Sequence, residues 1–559
     1  MSFALGDAET RARIAHARSS PATEPCLAQL PLRSFDALLR ARIASEGARP
    51  YLVYADAERR EELSYAAFGA RVAARMRSLR AAGVVRGARV ATLFHNHPEV
   101  PITCFAAWAL GASVVPVNLS EDDERIAFVL ANAEAIAAWY LPELESRARA
   151  LRAVAPGIRH WAAARPEEGS AALETPRPGE APAGEDEALV VYTSGTTGAP
   201  KGVVLTQQNL LVDADALCRW NGFGPASRLM CVLPTHHVNG LVVTLISPFW
   251  AGASVVLCRR FRAQEFWGRV AREGIEVVSV VPTLLAFLLE EAGGTAGLEL
   301  SRFRHLICGA GPLTVELATR FEEHFGFRIL HGYGLSETTC YSCMLPADLP
   351  AAEHRGWLRE HGFPSIGVPL PPNEMAIHDA AGSALPEGER GEIVIRGVNV
   401  MQGYAKRPEA NAESFAHGWF RSGDEGFWRA DAAGQPYFFI TGRLKELIIR
   451  GGVNLSPFEI DEVLNRIPGV ARGLAVGFEN HWYGEEVGAY VMLEAGSALG
   501  EEQILLACRE RLPFAKAPKV VVFGSDIPVT ATGKYQRGRL RPHFERFRDV
   551  QFREGRDGV

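Results

Sequence analysis

Apolar runs of strand length keep returning along the first 370 residues, and stretches of helical pattern separate them. ARVATLF (88–94) and ASVVPVN (112–118) read as buried strands, with FAAWALG (105–111) as a helix between them. A strand, a helix and a second strand in that rhythm imply a parallel sheet covered by helices. Residues 155–186, rich in Pro, Gly, Ala and Glu, predict an exposed loop. The alternation resumes from 187 to about 370. From GEIVIRGVNV (391–400) to GQPYFFITGRLKELIIRGG (434–452) it gives way to short strands and turns, predicting a smaller β-rich unit. A separate α/β segment follows. It has a helix at 457–467, strands at 472–478 and 487–493, a helix at 500–511 and a strand at 519–524. The change of pattern near 442–446 marks a domain boundary.

The 559 residues are enough for two or more domains. A formal charge of −6 gives no support for nucleic acid or an anionic membrane as the main partner. Nine cysteines without an apolar leader in MSFALGDAETRARIAHARSS predict reduced thiols and a cytoplasmic protein. LVVTLISPFWAGASVVL (241–257) carries no charge. It is shorter than the roughly 20 residues of a spanning helix, and Pro248 and Gly252 interrupt it. A buried helix, a turn and a buried strand are expected there, with no membrane span.

The stretch most informative about function is VVYTSGTTGAPKGVVLT (190–206). An apolar strand ends in a loop of hydroxyls and glycines, and Lys201 follows. Glycine is costly to order, so a use for bare backbone N–H groups is implied. Convergent N–H groups form an anion nest, and lysine acts as a point charge on phosphate. A polyphosphate suits the stretch. It is not a Walker loop, because Pro200 precedes the lysine and Gly202 follows it. HGYGLSETT (331–339) pairs a flat ring, Tyr333, with a lone carboxylate, Glu337. GWFRSGDEG (418–426) places Asp424 in a tight turn, where a carboxylate could accept from ribose hydroxyls or simply close an Asx turn. TGRLKELI (441–448) carries Arg443, and TATGKYQRGRL (530–540) sets Lys534 in a glycine loop.

In order and spacing these five motifs resemble those of the adenylate-forming enzymes, which include acyl- and aryl-CoA synthetases, peptide-synthetase adenylation domains and beetle luciferases. The likeness runs from about 35 to 545. It implies an α/β chain with a large N-terminal domain (1–444) of two βαβ-type sheets plus a small β-rich subdomain. A small mobile α+β C-terminal domain (445–559) carries the catalytic lysine. The implied activity is ATP-dependent ligation of a carboxylic acid to coenzyme A through acyl-AMP and pyrophosphate.

By that resemblance Thr193, Ser194, Gly195, Thr196, Thr197, Gly198 and Lys201 hold the β- and γ-phosphates. Glu337 binds Mg²⁺ with Thr196. Gly309, Ala310, Gly332 and Tyr333, with Gly334 and Ser336 beside them, line the adenine slot. Asp424 and Arg443 hold the ribose. Lys534 bridges carboxylate and phosphate in the first step, then swings away about Lys445. Arg450, Gly451 and Gly452, together with Arg260, meet CoA. PTHHVNGL (234–241) matches the segment beside the acyl pocket, with His237 on the family's usual histidine. His236 stands where an aromatic gate is more usual, and either contacts an oxygenated acid or tilts aside. Gly309, Leu335 and Cys340 complete the acyl pocket. Cys340 and Cys343 have metal-pair spacing, but without a second pair they are expected to line that pocket. A carrier-protein thiol as acceptor, a luciferase-like monooxygenase and a non-catalytic nucleotide-binding regulator stay open as alternatives. The partners implied are a small carboxylic acid, ATP and CoA, for a monomer or homodimer.

Overall fold

A computed structural model describes residues 5–56, 59–166, 173–174, 176, 180–193, 200–291, 293–529 and 535–553. Ser194, Gly195, Thr196, Thr197, Gly198 and Lys534 lie outside the described residues. Two large sheets and one small one organise the chain. The first has seven strands in the order Gly403–Tyr404, Lys201–Thr206, Glu187–Thr193, Ser113–Pro116, Arg89–Leu93, Ala137–Tyr140 and His160–Ala163. Its last five strands run parallel, as the apolar rhythm requires. Lys201–Thr206 and Gly403–Tyr404 add antiparallel at the other edge.

The second sheet has thirteen strands. Six parallel ones, Pro50–Ala55, Ser254–Cys258, Arg228–Cys231, Val277–Val280, His305–Cys308 and Arg328–Tyr333, form its centre. Beyond Tyr333 the pairing turns antiparallel through Cys343–Met344 and Ser365–Pro369. It continues into Pro436–Arg443, Phe420–Ala430, Gly391–Gly397 and Asn373–His378. The β-rich unit is therefore continuous, edge to edge, with the parallel sheet.

Between the sheets lies the helix Glu99–Ala109, buried on every side. A helix that is apolar all round must be enclosed. Phe105 and Trp108 pack there against Phe35, Phe68 and Phe249. Its one charged residue, Glu99, accepts from buried Arg75 at 2.8 Å, so the enclosed charge is paired. Residues 241–257 form no span. The π-helix Asn239–Ile246 runs into Ser247–Ala251, a left-handed Gly252 (φ 74°) ends it, and the strand Ser254–Cys258 follows. Among the described residues no helix is long and apolar enough to cross a membrane.

The C-terminal part has its own core, built from Ile448, Leu464, Val487 and Ile504 on one side of its sheet and Leu474, Phe478 and Phe544 on the other. Val529 and Tyr535 pair as an antiparallel bridge, and Gln536 donates its N–H to the Pro528 carbonyl at 2.8 Å. Two residues beyond Tyr535, buried Arg537 grips Asp461 at 3.0 Å and the Ala475 carbonyl at 2.9 Å. Few polar contacts tie this part to the rest. The Val315 N–H donates to Glu462 at 2.7 Å, Arg390 reaches Glu459 at 3.6 Å and Arg472 reaches Glu290 at 3.7 Å.

Candidate functional site

Strand pairing assembles two polar clusters near the N-terminal domain's motifs. Asp424 is not in a tight turn. It follows Gly423 (φ 74°) within the long strand Phe420–Ala430, directly opposite Arg443 on the neighbouring strand. Arg443 Nε lies 3.1 Å from Asp424 Oδ1, and the Tyr333 hydroxyl donates to Asp424 Oδ2 at 2.6 Å. Burial, then the Asp424 charge, pushes the Tyr333 phenol well above its ordinary range, so it stays a donor. Asp424 in turn holds the Arg443 guanidinium above its usual value. Ring, carboxylate and guanidinium from three motifs therefore form one unit.

The second cluster joins Lys201 to Glu337 through a residue that the motifs did not include. The two-residue strand Gly403–Tyr404 pairs with Lys201–Thr206, with Tyr404 opposite Val203. Its ring lies under Lys201 Nζ, 4.8 Å from the centroid, and its hydroxyl donates to Glu337 Oε1 at 2.8 Å. Burial and the Glu337 charge raise the Tyr404 phenol far above its ordinary range. Thr193, the first residue of the hydroxyl-and-glycine stretch, has its hydroxyl 3.5 Å from the Lys201 carbonyl.

Around these clusters the backbone is strained. Ala310 (φ 61°) and Thr339 (φ 67°) sit in the left-handed region, which side chains seldom adopt outside functional sites. Gly334 tolerates no side chain, since an added Cβ would lie 1.9 Å from the Cys340 carbonyl oxygen. Leu335 and Ser336 are half-buried beside it, and Cys340 is buried. All nine cysteines are free. Among the described residues no three His, Cys, Asp or Glu side chains gather as a metal site.

A cleft of about 890 Å³ opens between the two domains. Its walls are Val232–Pro234 with His236, and Val281 with Thr283 and Leu284. Arg259 and Arg260 stand at its rim, and Arg472, Met492 and Val529 face them from the C-terminal part. His236 packs on His237 with ring centroids 4.2 Å apart, and burial pulls its pKa down to about 4, leaving a neutral ring. His95, which no motif had indicated, also lines the cleft and meets Glu143 at 3.0 Å. Val529, five positions before Lys534 in the chain, borders the same space. Arg450 does not. It stacks on Tyr483 at 3.9 Å and pairs with buried Glu486 at 2.7 Å, and Gly451 and Gly452 form an exposed turn. Lys445 is exposed on the short turn Leu444–Glu446 that follows the strand Pro436–Arg443.

Residues 39–405 match the family model described as AMP-binding enzyme, and 459–534 match that of the AMP-binding enzyme C-terminal domain. The chain is 35% identical over 515 residues to a sulfoacetate–CoA ligase of Cupriavidus necator, covering 91% of this chain and 97% of that one. It is 33% identical over 483 residues to a feruloyl-CoA synthase of an Amycolatopsis species, with 86% and 94% covered. The crystal structure of ATP-bound MatB from Rhodopseudomonas palustris superposes with a TM-score of 0.81 at 26% identity, over 92% of this chain and 99% of that one.

Proposed function

The chain belongs to the family of AMP-binding enzymes, and we propose that it is an AMP-forming acid–CoA ligase whose two polar clusters carry the first half-reaction. A carboxylate is a weak nucleophile. The work lies in positioning it against the α-phosphorus and in offsetting charge on the departing pyrophosphate. Asp424, fixed by Tyr333 and Arg443, accepts from the ribose hydroxyls. Gly309, Ala310, Gly332, Gly334 and Ser336 flank the base. Lys201 faces the outer phosphates with Thr193 to Gly198. Glu337 and Thr196 would hold Mg²⁺, and the single buried carboxylate fits an ion held mostly by phosphate oxygens. Bound there, the ion would neutralise phosphate charge.

Lys534 bridges the acid and the phosphate. Once acyl-AMP has formed, the C-terminal domain (445–559) turns about Lys445 on the N-terminal domain (1–444). The CoA thiol, itself a good nucleophile, then approaches through the cleft past His236 and His237, with Arg260 at its mouth. Arg450, Gly451 and Gly452 reach CoA only in the turned arrangement. Free cysteines suit a cytoplasmic enzyme, and CoA rather than a carrier protein is the acceptor.

One observation carries the proposal. Lys201 and Glu337, 136 positions apart in the chain, meet at Tyr404, and a cation and a carboxylate side by side support the reading of a site for a metal-bound polyphosphate. The test is pyrophosphate exchange over a panel of acids, followed by CoA-dependent release of AMP. Exchange with an acid and thioester formation on CoA are expected. ATP binding without exchange on any acid would leave only a nucleotide-binding protein.

A further inference from the structure

The two relatives named above act on acids of very different size, so likeness leaves the acid open. The interior beyond His236 does not. The segments that wall the cleft at His236 and Val281 run inward to Asn239 and Ser279, three and two residues away. The Asn239 amide donates to the Tyr341 hydroxyl at 3.3 Å, and Ser279 Oγ donates to Asn239 Oδ1 at 2.6 Å. All three residues are buried.

Tyr341 also fills the space in front of Gly309, expected to border both the acid and the adenine, and of Gly332, expected to line the adenine slot. A Cβ on Gly309 would lie 2.6 Å from its hydroxyl, and one on Gly332 would lie 2.8 Å from its ring. Its backbone is fixed as well, because the Tyr341 carbonyl accepts from Asn399 at 3.4 Å. A ring held at both ends cannot swing out easily.

We propose that Tyr341 is a specificity-determining residue, closing the acyl pocket so that it admits only a short, polar carboxylic acid. The inference rests on the ligase reading of the site. A long-chain or aryl acid would have to displace the ring, and an apolar tail would leave the hydroxyl and amide groups of Tyr341 and Asn239 facing hydrocarbon. Sites built from buried polar groups reject analogues that cannot pair with them far more strongly than apolar pockets reject a change of size. A short acid with a second oxygenated group meets neither obstacle.

The test compares pyrophosphate exchange by the full-length wild type, Tyr341→Ala and Tyr341→Phe. The panel holds short polar acids, medium- and long-chain fatty acids and cinnamic-type acids, with ATP binding measured by calorimetry in each protein. The wild type is expected to use short polar acids only. Tyr341→Ala should gain at least tenfold in kcat/KM for longer or aryl acids. Tyr341→Phe should raise KM for the short acid several-fold, gain nothing for longer ones and bind ATP as before. Wild-type exchange with long-chain or aryl acids as efficient as with short ones would overturn the inference and leave the ligase reading standing. Exchange with no acid, despite ATP binding, would overturn both. Should Tyr341→Ala lose ATP binding and so prove misfolded, an unchanged short-acid KM in Tyr341→Phe would by itself refute the polar role.

Discussion

Glu462 makes the contact between the domains sensitive to pH. Its carboxylate accepts from the N–H of Val315, the first residue of the helix Val315–Phe325, and it is 6% exposed. Burial pushes its pKa from 4.5 up to about 7, aided by the charges of Asp461 and Glu316 and opposed by the Val315 N–H and Arg466. The docked arrangement therefore holds a proton that a carboxyl freed into water would release near 4.5. By linkage, docking through this contact is strongest below 4.5, weakens as pH rises through 7, and changes no further above it. The whole window is worth at most about 3 kcal/mol, and its part between pH 5.5 and 8 about a thirtyfold change in the docked population. Glu462→Gln keeps an acceptor for Val315 and removes the titration. Small-angle scattering, with the rate of tryptic cleavage at exposed Lys445, should show the wild type loosening from pH 5.5 to 8 and Glu462→Gln staying docked throughout. A wild-type profile flat across that range, or one that Glu462→Gln reproduces, would refute the assignment.

Tyr404→Phe removes the donor to Glu337 but keeps the ring under Lys201. The Mg²⁺ concentration for half-maximal exchange should rise several-fold with the thermal midpoint unchanged, and an unaltered Mg²⁺ requirement would show that the hydroxyl does not position Glu337. Asp424→Ala strands the buried Tyr333 hydroxyl, at a cost of about 1–3 kcal/mol. A lower denaturant midpoint together with a raised KM for ATP is expected, and a rise in KM alone would mean that Tyr333 finds another partner. Lys534→Ala should depress pyrophosphate exchange far more than thioester formation from preformed acyl-AMP, and equal losses in the two assays would contradict its place in the first step.

The readable parts of the site were those whose chemistry is carried by one short segment. Asp424 and Arg443 stood out as a carboxylate and a cation in turn-rich stretches, and the strands bearing them proved to be immediate neighbours, so cross-strand register brings the two together. Tyr404 gave no such signal. GYAKRP is an ordinary stretch, and its phenol matters only because a two-residue strand adds to the edge beside Lys201. Pairing between segments 200 residues apart leaves no periodic trace. The same holds for the β-rich unit. Alternation marked its strands but not their continuation of the parallel sheet, because an edge is chosen by what lies next to it. The cleft is composite in the same way, with Arg260 from one domain and Val529 from the other.

The glycines illustrate the limit most clearly. A glycine in a motif signals that something approaches the backbone closely, and the family resemblance implies a nucleotide at Gly309 and Gly332 and the acid at Gly309 as well. On the face resolved here, what approaches is a side chain of the same protein. Their missing Cβ atoms make room for Tyr341, four positions after Glu337 in the chain. Close approach is encoded locally, whereas the identity of the approaching group depends on how Thr339, at φ 67°, turns the chain back toward the sheet. Selectivity for the acid would then reside in a residue outside every motif, held by Asn239 and Asn399 from opposite sides.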